Sequence, residues 1–387
     1  MFVFPSFNLG SFTPPSGPLT IPADYAVSFD GANDYVDLGT DSSLDVAGSD
    51  FSAALWFRHS SSSNSATDGI LTIGGFTNKF FLGLGLSSGG VDKVGFGVGS
   101  AFYYNAGSNL NDNEWHLFVA TVSSGTATIY VDGSSESFTT GSASIGSYNR
   151  LGDGFYGNYG GRLDNIAIFS SALSSSDVSA IYSAGRQGNL SSYSPVAWWK
   201  GGDSDNGTGT SMTDDSSNSN TGTLQNGANF VNASNLADSS LAIPSTQTYR
   251  EGAFDGSLLD TSTAGSWYAH SGSFTTTGAI GQDFGSGNAK AINAYRIIYN
   301  QPTTAYAPKN WTIEASNTGA FSGEEVTLDT RTGETTWTKA TSSNYGTAWN
   351  EYLFTNSTAY RYWRINITAN NGHGTYLIFA EMEMFAL

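Results

Sequence analysis

Along most of the chain, apolar and polar residues alternate every second position in short runs separated by Gly and Ser. That period marks half-buried strands, and even spacing of such runs marks a sandwich or jelly roll. YAVSFDGANDYVDLG (25–39) reads as two short strands around an Asp-Gly-Ala-Asn turn, and FSAALWFRH (51–59) as another strand. Further strands follow at ILTIGG, KFFLGLGL, KVGFGVG, HLFVATV and TATIYVDG, the last two forming a hairpin across Ser123, Ser124 and Gly125. GGRLDNIAIFSSALSSSDVSAIY (160–182) adds a strand and ends in a short helical signal. A second alternating region begins near residue 248, with landmarks AFDGSLLD, SWYAHSG, IGQDFGSG, INAYRIIYN, KNWTIEASN, TAYRYWRINITANNG and IFAEMEMF. The pattern predicts an all-β chain of two antiparallel β-sandwiches, jelly rolls, in tandem.

Four parts emerge. Residues 1–24 are a Pro- and Phe-rich arm, read either as a floppy terminus or as an extended docking segment; exposing Phe2, Phe4, Phe7 and Phe12 together is costly, which favours docking. Residues 25–188 form the first sandwich and 249–387 the second. Between them, 189–248 reads either as a linker or as strands of the first sandwich in permuted order. Val196, Trp198 and Trp199 are too apolar to dangle, which favours the buried strands.

Composition narrows the function. Only 12% of residues are charged, and 15 Lys and Arg face 33 Asp and Glu, a formal net charge of −18. No basic face exists for a nucleic acid. The acidity keeps a particle soluble and supplies carboxylates for calcium. There are no cysteines, which removes disulfides, thiolate nucleophiles and Cys-based zinc sites. No run approaches the roughly 20 apolar residues of a membrane span. The first residues lack a basic region and are interrupted by Pro5, Pro14 and Pro15, a poor secretory signal. A virion component, made in a host cytoplasm and released by lysis, fits these features. A bacterial surface or secreted protein exported by another route is the alternative.

FDGANDYVDLG, FSAALWFRH, EWHLFVATVSSGTATIYVDG and GGRLDNIAIFSSALSSSDVSAIY, in that order, resemble the laminin-G-like, concanavalin-A-like jelly roll. The resemblance implies a fold that displays binding loops more often than it houses chemistry. Glucanases of this kind need a carboxyl acid and a second carboxylate about 5 to 10 Å apart. The only Glu residues before Glu251 are Glu114 and Glu136, one preceding and one following the hairpin, both read as solvated loop charges. No catalytic residue is therefore assigned, and the chain is expected not to be an enzyme. Pairing of the sandwich's terminal strands would bring Asp30 and Asp164 together as calcium ligands, with Asp34 and Asp37 nearby. The plainer reading is that Asp30-Gly31 is a tight turn and Asp164 a cap.

The landmarks of the second region, notably WTIEASN, AYRYWRI and AEME, resemble the discoidin-like, galactose-binding-like sandwich, which also occurs as a carbohydrate-binding module. In many such relatives a structural calcium ties an early Asp-Gly turn to a Glu near the C-terminus. Carried over, the resemblance implies Asp255 and Glu381 as ligands; Ser257 and Asp260 stand where the family has Asn and Thr, so Asp260 would supply a substitute oxygen.

Sugar recognition needs a flat aromatic ring and polar forks. Candidates on expected loops are Tyr268, His270, Tyr345, Trp349 and His373 in the second sandwich, and Tyr103, Tyr104, Tyr156 and Tyr159 in the first. For each, packing or an oligomer contact is the plainer role. The four His residues are widely separated and show no zinc spacing. Two functions remain. One is a non-enzymatic virion structural protein, an oligomeric fibre, spike or capsid decoration, docked to other subunits by the arm and presenting both sandwiches to cell-surface glycan. The other is a secreted bacterial carbohydrate-binding protein or accessory of a polysaccharide-degrading system.

Overall fold

The structure, a computed structural model, describes residues 21, 23–46, 50–59, 68–74, 79–84, 94–99, 101–104, 110, 112–139, 148–153, 157–236, 267–268, 276–341 and 348–387. Strands dominate, in several antiparallel sheets. The expected arm falls almost wholly outside the described residues.

Two eight-stranded sheets form the first sandwich. One runs in the order Ser134–Thr139, Thr126–Val131, Trp115–Ser123, Phe51–His59, Gly160–Phe169, Tyr25–Asp30 and Asn229–Asn232, with Ala197–Trp199 also paired to Gly160–Phe169. The other runs Ser211–Met212, Gly222–Gln225, Tyr35–Asp37, Arg150–Leu151, Asp68–Ile73, Lys79–Leu84, Val94–Gly99 and Ala101–Tyr104. The turn at residues 31–34 therefore carries the chain from one sheet to the other. Residues 197–232 contribute strands to both sheets.

Every residue of FSAALWFRH is buried, because both faces of its strand are covered. Phe51, Ala53, Leu55 and Phe57 face the interior between the sheets, while Ala54 and Trp56 pack under the helix Ser175–Ala184. Ser174 and Asp177 close a capping box that starts that helix. The tight turns at Ser124-Gly125 and Asp132-Gly133 place both residues at positive φ, which matches the strand twist and fixes two hairpins.

In Gly160–Phe169 the inward set slips from Leu163 to Ile166, because the register shifts between Asp164 and Ala167 and Asn165 takes φ 46°. Its side chain holds the bulge. The amide donates to the carbonyls of Arg186 at 2.8 Å and Gly188 at 2.9 Å, and Oδ1 accepts from Trp198 Nε1 at 2.6 Å.

A four-stranded sheet (Gly278–Asp283, Tyr362–Asn370, Pro308–Ser316, Val326–Arg331) and a three-stranded one (Trp349–Leu353, Ala294–Ile298, Glu381–Phe385) form the second sandwich. Trp311, Trp363 and Tyr295 fill its core. Their polar atoms are satisfied: Trp311 Nε1 donates to the Tyr295 hydroxyl, which donates to Asp329, both at 2.8 Å.

Residues 233–236 run between the sandwiches with no strand partner of their own. Arg58 and Arg162 each donate to the Asn235 carbonyl, at 2.7 and 3.1 Å, and Trp115 Nε1 donates to that of Ala233. On the other side, the Leu236 N–H donates to the Met384 carbonyl and the Met384 N–H to Asn235 Oδ1. Arg58 is held in turn by the carbonyl and side chain of Asn113, and Glu114 pairs with Lys290 of the second sandwich at 2.5 Å. His116 anchors this loop between Asp132 at 2.7 Å and Asp112 at 3.0 Å. Burial alone would lower its pKa, but the two carboxylates outweigh burial and hold the imidazole above its ordinary value.

Two expectations follow. Asn165→Ala forfeits three hydrogen bonds and puts a Cβ residue without a local partner at positive φ, so denaturant unfolding should show a loss of about 2–4 kcal/mol, with Asn165→Gly losing less. Protonated His116 adds stability below its unfolded value of 6.5, and that contribution disappears as pH climbs through the higher folded value. The urea midpoint of the wild type should therefore fall between about pH 6 and about pH 9 by more than that of His116→Gln. Equal falls would mean that the ring does not anchor the loop.

Candidate functional site

At one end of the second sandwich the chain places three rings side by side. Tyr306 ends a single turn of 3-10 helix at Thr304–Tyr306, while His373 and Tyr376 lie between the strands Tyr362–Asn370 and Ile378–Phe379. Ring centroids are 4.2 Å apart for Tyr306 and His373, 5.1 Å for His373 and Tyr376, and 6.0 Å for Tyr306 and Tyr376. All three are half-buried, a ledge with one side packed and the other open.

Polar side chains hold the ledge from below. Asn370 donates to the carbonyls of His373 at 2.8 Å and Tyr376 at 2.6 Å. Asn371 donates to Pro308 and Glu334, each at 3.0 Å, and the His373 N–H reaches the Ala305 carbonyl at 3.1 Å. His373 Nδ1 accepts from the amides of Thr375 and Tyr376, so the neutral ring carries its proton on Nε2, free of that turn. Such an arrangement offers a planar contact surface and directional donors and acceptors, the equipment for a sugar ring.

Of the residues expected from sequence, His373 belongs to this ledge. Tyr306 and Tyr376 were missed, although each sits in a polar run, TTAYAP and GHGTYL, where an aromatic has no alternating neighbours to pack with. Trp349, expected on a loop, opens the strand Trp349–Leu353 and lies under Arg296, whose guanidinium is 4.0 Å from its ring centre. Arg296, held by Glu383 at 2.5 Å, occupies one face of this half-buried ring. Tyr159 is fully buried and donates its hydroxyl to the Arg58 carbonyl at 2.9 Å, so it is a core residue. Tyr103 and Tyr104 lie on the edge strand Ala101–Tyr104 and Tyr268 on Trp267–Tyr268, but their side chains are outside the described residues, as are Tyr156, His270 and Tyr345 altogether.

The carboxylates are arranged otherwise than expected. Tyr25–Asp30 does pair with Gly160–Phe169, but the register sets Asp30 against Gly160 and Val27 against Leu163, so Asp164 lies four positions along the ladder from Asp30. Asp30 and Asp164 are not co-ligands. Asp164 is buried and paired with Arg186, which also grips Asp24; burial nevertheless pushes its carboxyl up to about 7. Asp255 and Asp260 lie outside the described residues, and Glu381 is buried opposite Ile298 in the closing strand. Among the described residues no three His, Asp or Glu side chains gather as a metal cage. Glu136 is in the strand Ser134–Thr139 rather than a loop, and Glu114 is taken by Lys290.

A second concavity, about 260 Å³, opens between the sandwiches and is lined by Trp115, Phe284, Arg186, Glu114 and Lys290 among others. Arg186 and Lys290 there are already engaged by carboxylates.

No curated protein sequence matches the chain. Solved structures that resemble it include a candidate carbohydrate-binding protein from Bacteroides ovatus, at 18% identity and TM-score 0.42 over 56% of this chain and 61% of that one. A chitosan-binding module of a chitosanase/glucanase from Paenibacillus sp. IK-5 aligns at 20% identity and TM-score 0.29, covering 39% of this chain and 98% of the module. The family 32 carbohydrate-binding module of EndoD from Streptococcus pneumoniae aligns at 12% identity and TM-score 0.27, covering 38% and 92%. The chain thus spans less than two thirds of the first of these. Residues 30–179, the body of the first sandwich, match the family described as the Concanavalin A-like lectin/glucanases superfamily.

Proposed function

We propose that the chain is a non-enzymatic carbohydrate-binding protein that takes a neutral glycan on the ledge of Tyr306, His373 and Tyr376. The convergence of three half-buried rings above a hydrogen-bonded loop carries this reading. The excess of 33 acidic over 15 basic residues disfavours anionic polysaccharide. No Glu pair with the spacing of a glycosidase supports catalysis in the first sandwich, where Glu114 is tied to Lys290.

The setting is a surface. As a virion subunit the chain docks to other subunits through the segment before residue 25 and multiplies weak sugar contacts by oligomerisation. As a secreted accessory it holds a polysaccharide-degrading system to its substrate. Purified particles that contain the chain support the first setting, and secretion beside polysaccharide hydrolases supports the second.

A glycan array should show binding by the full chain, and Tyr306→Ala or Tyr376→Ala should weaken it at least about tenfold, on the order of 1.4 kcal/mol. Undiminished binding by both variants, at unchanged thermal midpoints, would remove the ledge from the reading.

A further inference from the structure

The turn that crosses between the sheets of the first sandwich holds a carboxylate that the protein leaves half satisfied. Asp34 is 3% exposed. Its Oδ2 accepts the Asp30 N–H at 3.0 Å, but its buried Oδ1 has no hydrogen-bond partner among the described residues. That oxygen faces the backbone of Gly227, where an added Cβ would stand 2.8 Å away. A side chain at position 227 would crowd it.

The turn that carries this oxygen is rich in further oxygen atoms. Asp30 is exposed and uses Oδ1 to receive the amides of Ala32 and Asn33. Asn158 and Asn226 reach in from two other segments and donate to the carbonyls of Ala32 and Asn33. A carboxylate oxygen buried without a hydrogen-bond donor costs free energy, and a bound cation would offset that cost. The donor set contains no sulfur and no imidazole, so it suits calcium, which accepts carboxylates, carbonyls and water in loose geometry.

We propose that Asp34 and Asp30 are ligands of a calcium ion seated at this turn, with neutral oxygens of the turn and water completing its shell. The ion would clasp the crossover at 31–34 to the neighbouring segments at 158–160 and 226–227. It replaces the expected pairing of Asp30 with Asp164, which the register forbids, and it does not depend on the sugar-binding ledge at the far sandwich.

Calorimetric titration of Ca2+ into the chelator-stripped full chain reads the stoichiometry directly, so ions bound elsewhere do not confuse the result. Asp34→Asn and Asp30→Asn should each bind one ion fewer than the wild type, and calcium should raise their thermal midpoints less. Asp30 is exposed, so its variant decides alone if Asp34→Asn fails to fold. A wild type that binds no calcium, or an Asp30→Asn variant with the full stoichiometry, overturns the proposal.

Discussion

One carbonyl oxygen, that of Asn235, fixes how the two sandwiches share a chain. A connector without strand partners exposes backbone groups that must be paired if they are buried. Buried guanidinium groups, equally, require acceptors. Both needs are met at once where Arg58 and Arg162 converge on Asn235, and the connector's other groups go to Asp24 and Trp115 on one side and Met384 on the other. Moving one sandwich against the other would take a shared acceptor from two buried cations. The loop at 112–114 and the closing strand Glu381–Phe385 are therefore parts of one interface, although neither carries a sequence motif for it.

What sequence made legible was the local part of the fold. FSAALWFRH, HLFVATV and TATIYVDG are strands where alternation placed them, and the capping box at Ser174 and Asp177 starts the helix signalled by SSALSSSDVSAIY. Even the bulge has a trace: Leu163 and Ile166 both face inward three positions apart, which alternation alone does not allow, and the intervening Asn is suited to positive φ. Register across long separations was not legible. The strands Tyr25–Asp30 and Gly160–Phe169 pair as expected, but a ladder set by two distant turns decides which residues face each other. A displacement of four positions is enough to turn an expected pair of calcium ligands into an exposed turn residue and a buried partner of Arg186.

The same distinction governs the candidate site. His373 was visible because Gly flanks it in an aromatic-poor loop, whereas Trp349 looked equivalent and is a strand residue under Arg296. Nothing in TTAYAP indicates that Tyr306 meets a residue almost seventy positions later. Their meeting depends on Asn371, which bridges three carbonyls from two segments and so brings two loops to a common height. The ledge of rings is a consequence of loop hydrogen bonding among side chains that no strand pattern constrains.

Charge then limits what such a ledge would hold. Many of the cations are spent inside the molecule: Arg186 on Asp24 and Asp164, Arg296 on Glu383, Arg331 on Asp329, Arg361 on Asp283 and Arg364 on Glu314. The formal net charge of the chain is −18. An anionic polymer approaching such a chain meets repulsion over a Debye length of about 8 Å at physiological ionic strength. A neutral pyranose meets no such barrier and gains from ring contact, which persists in salt.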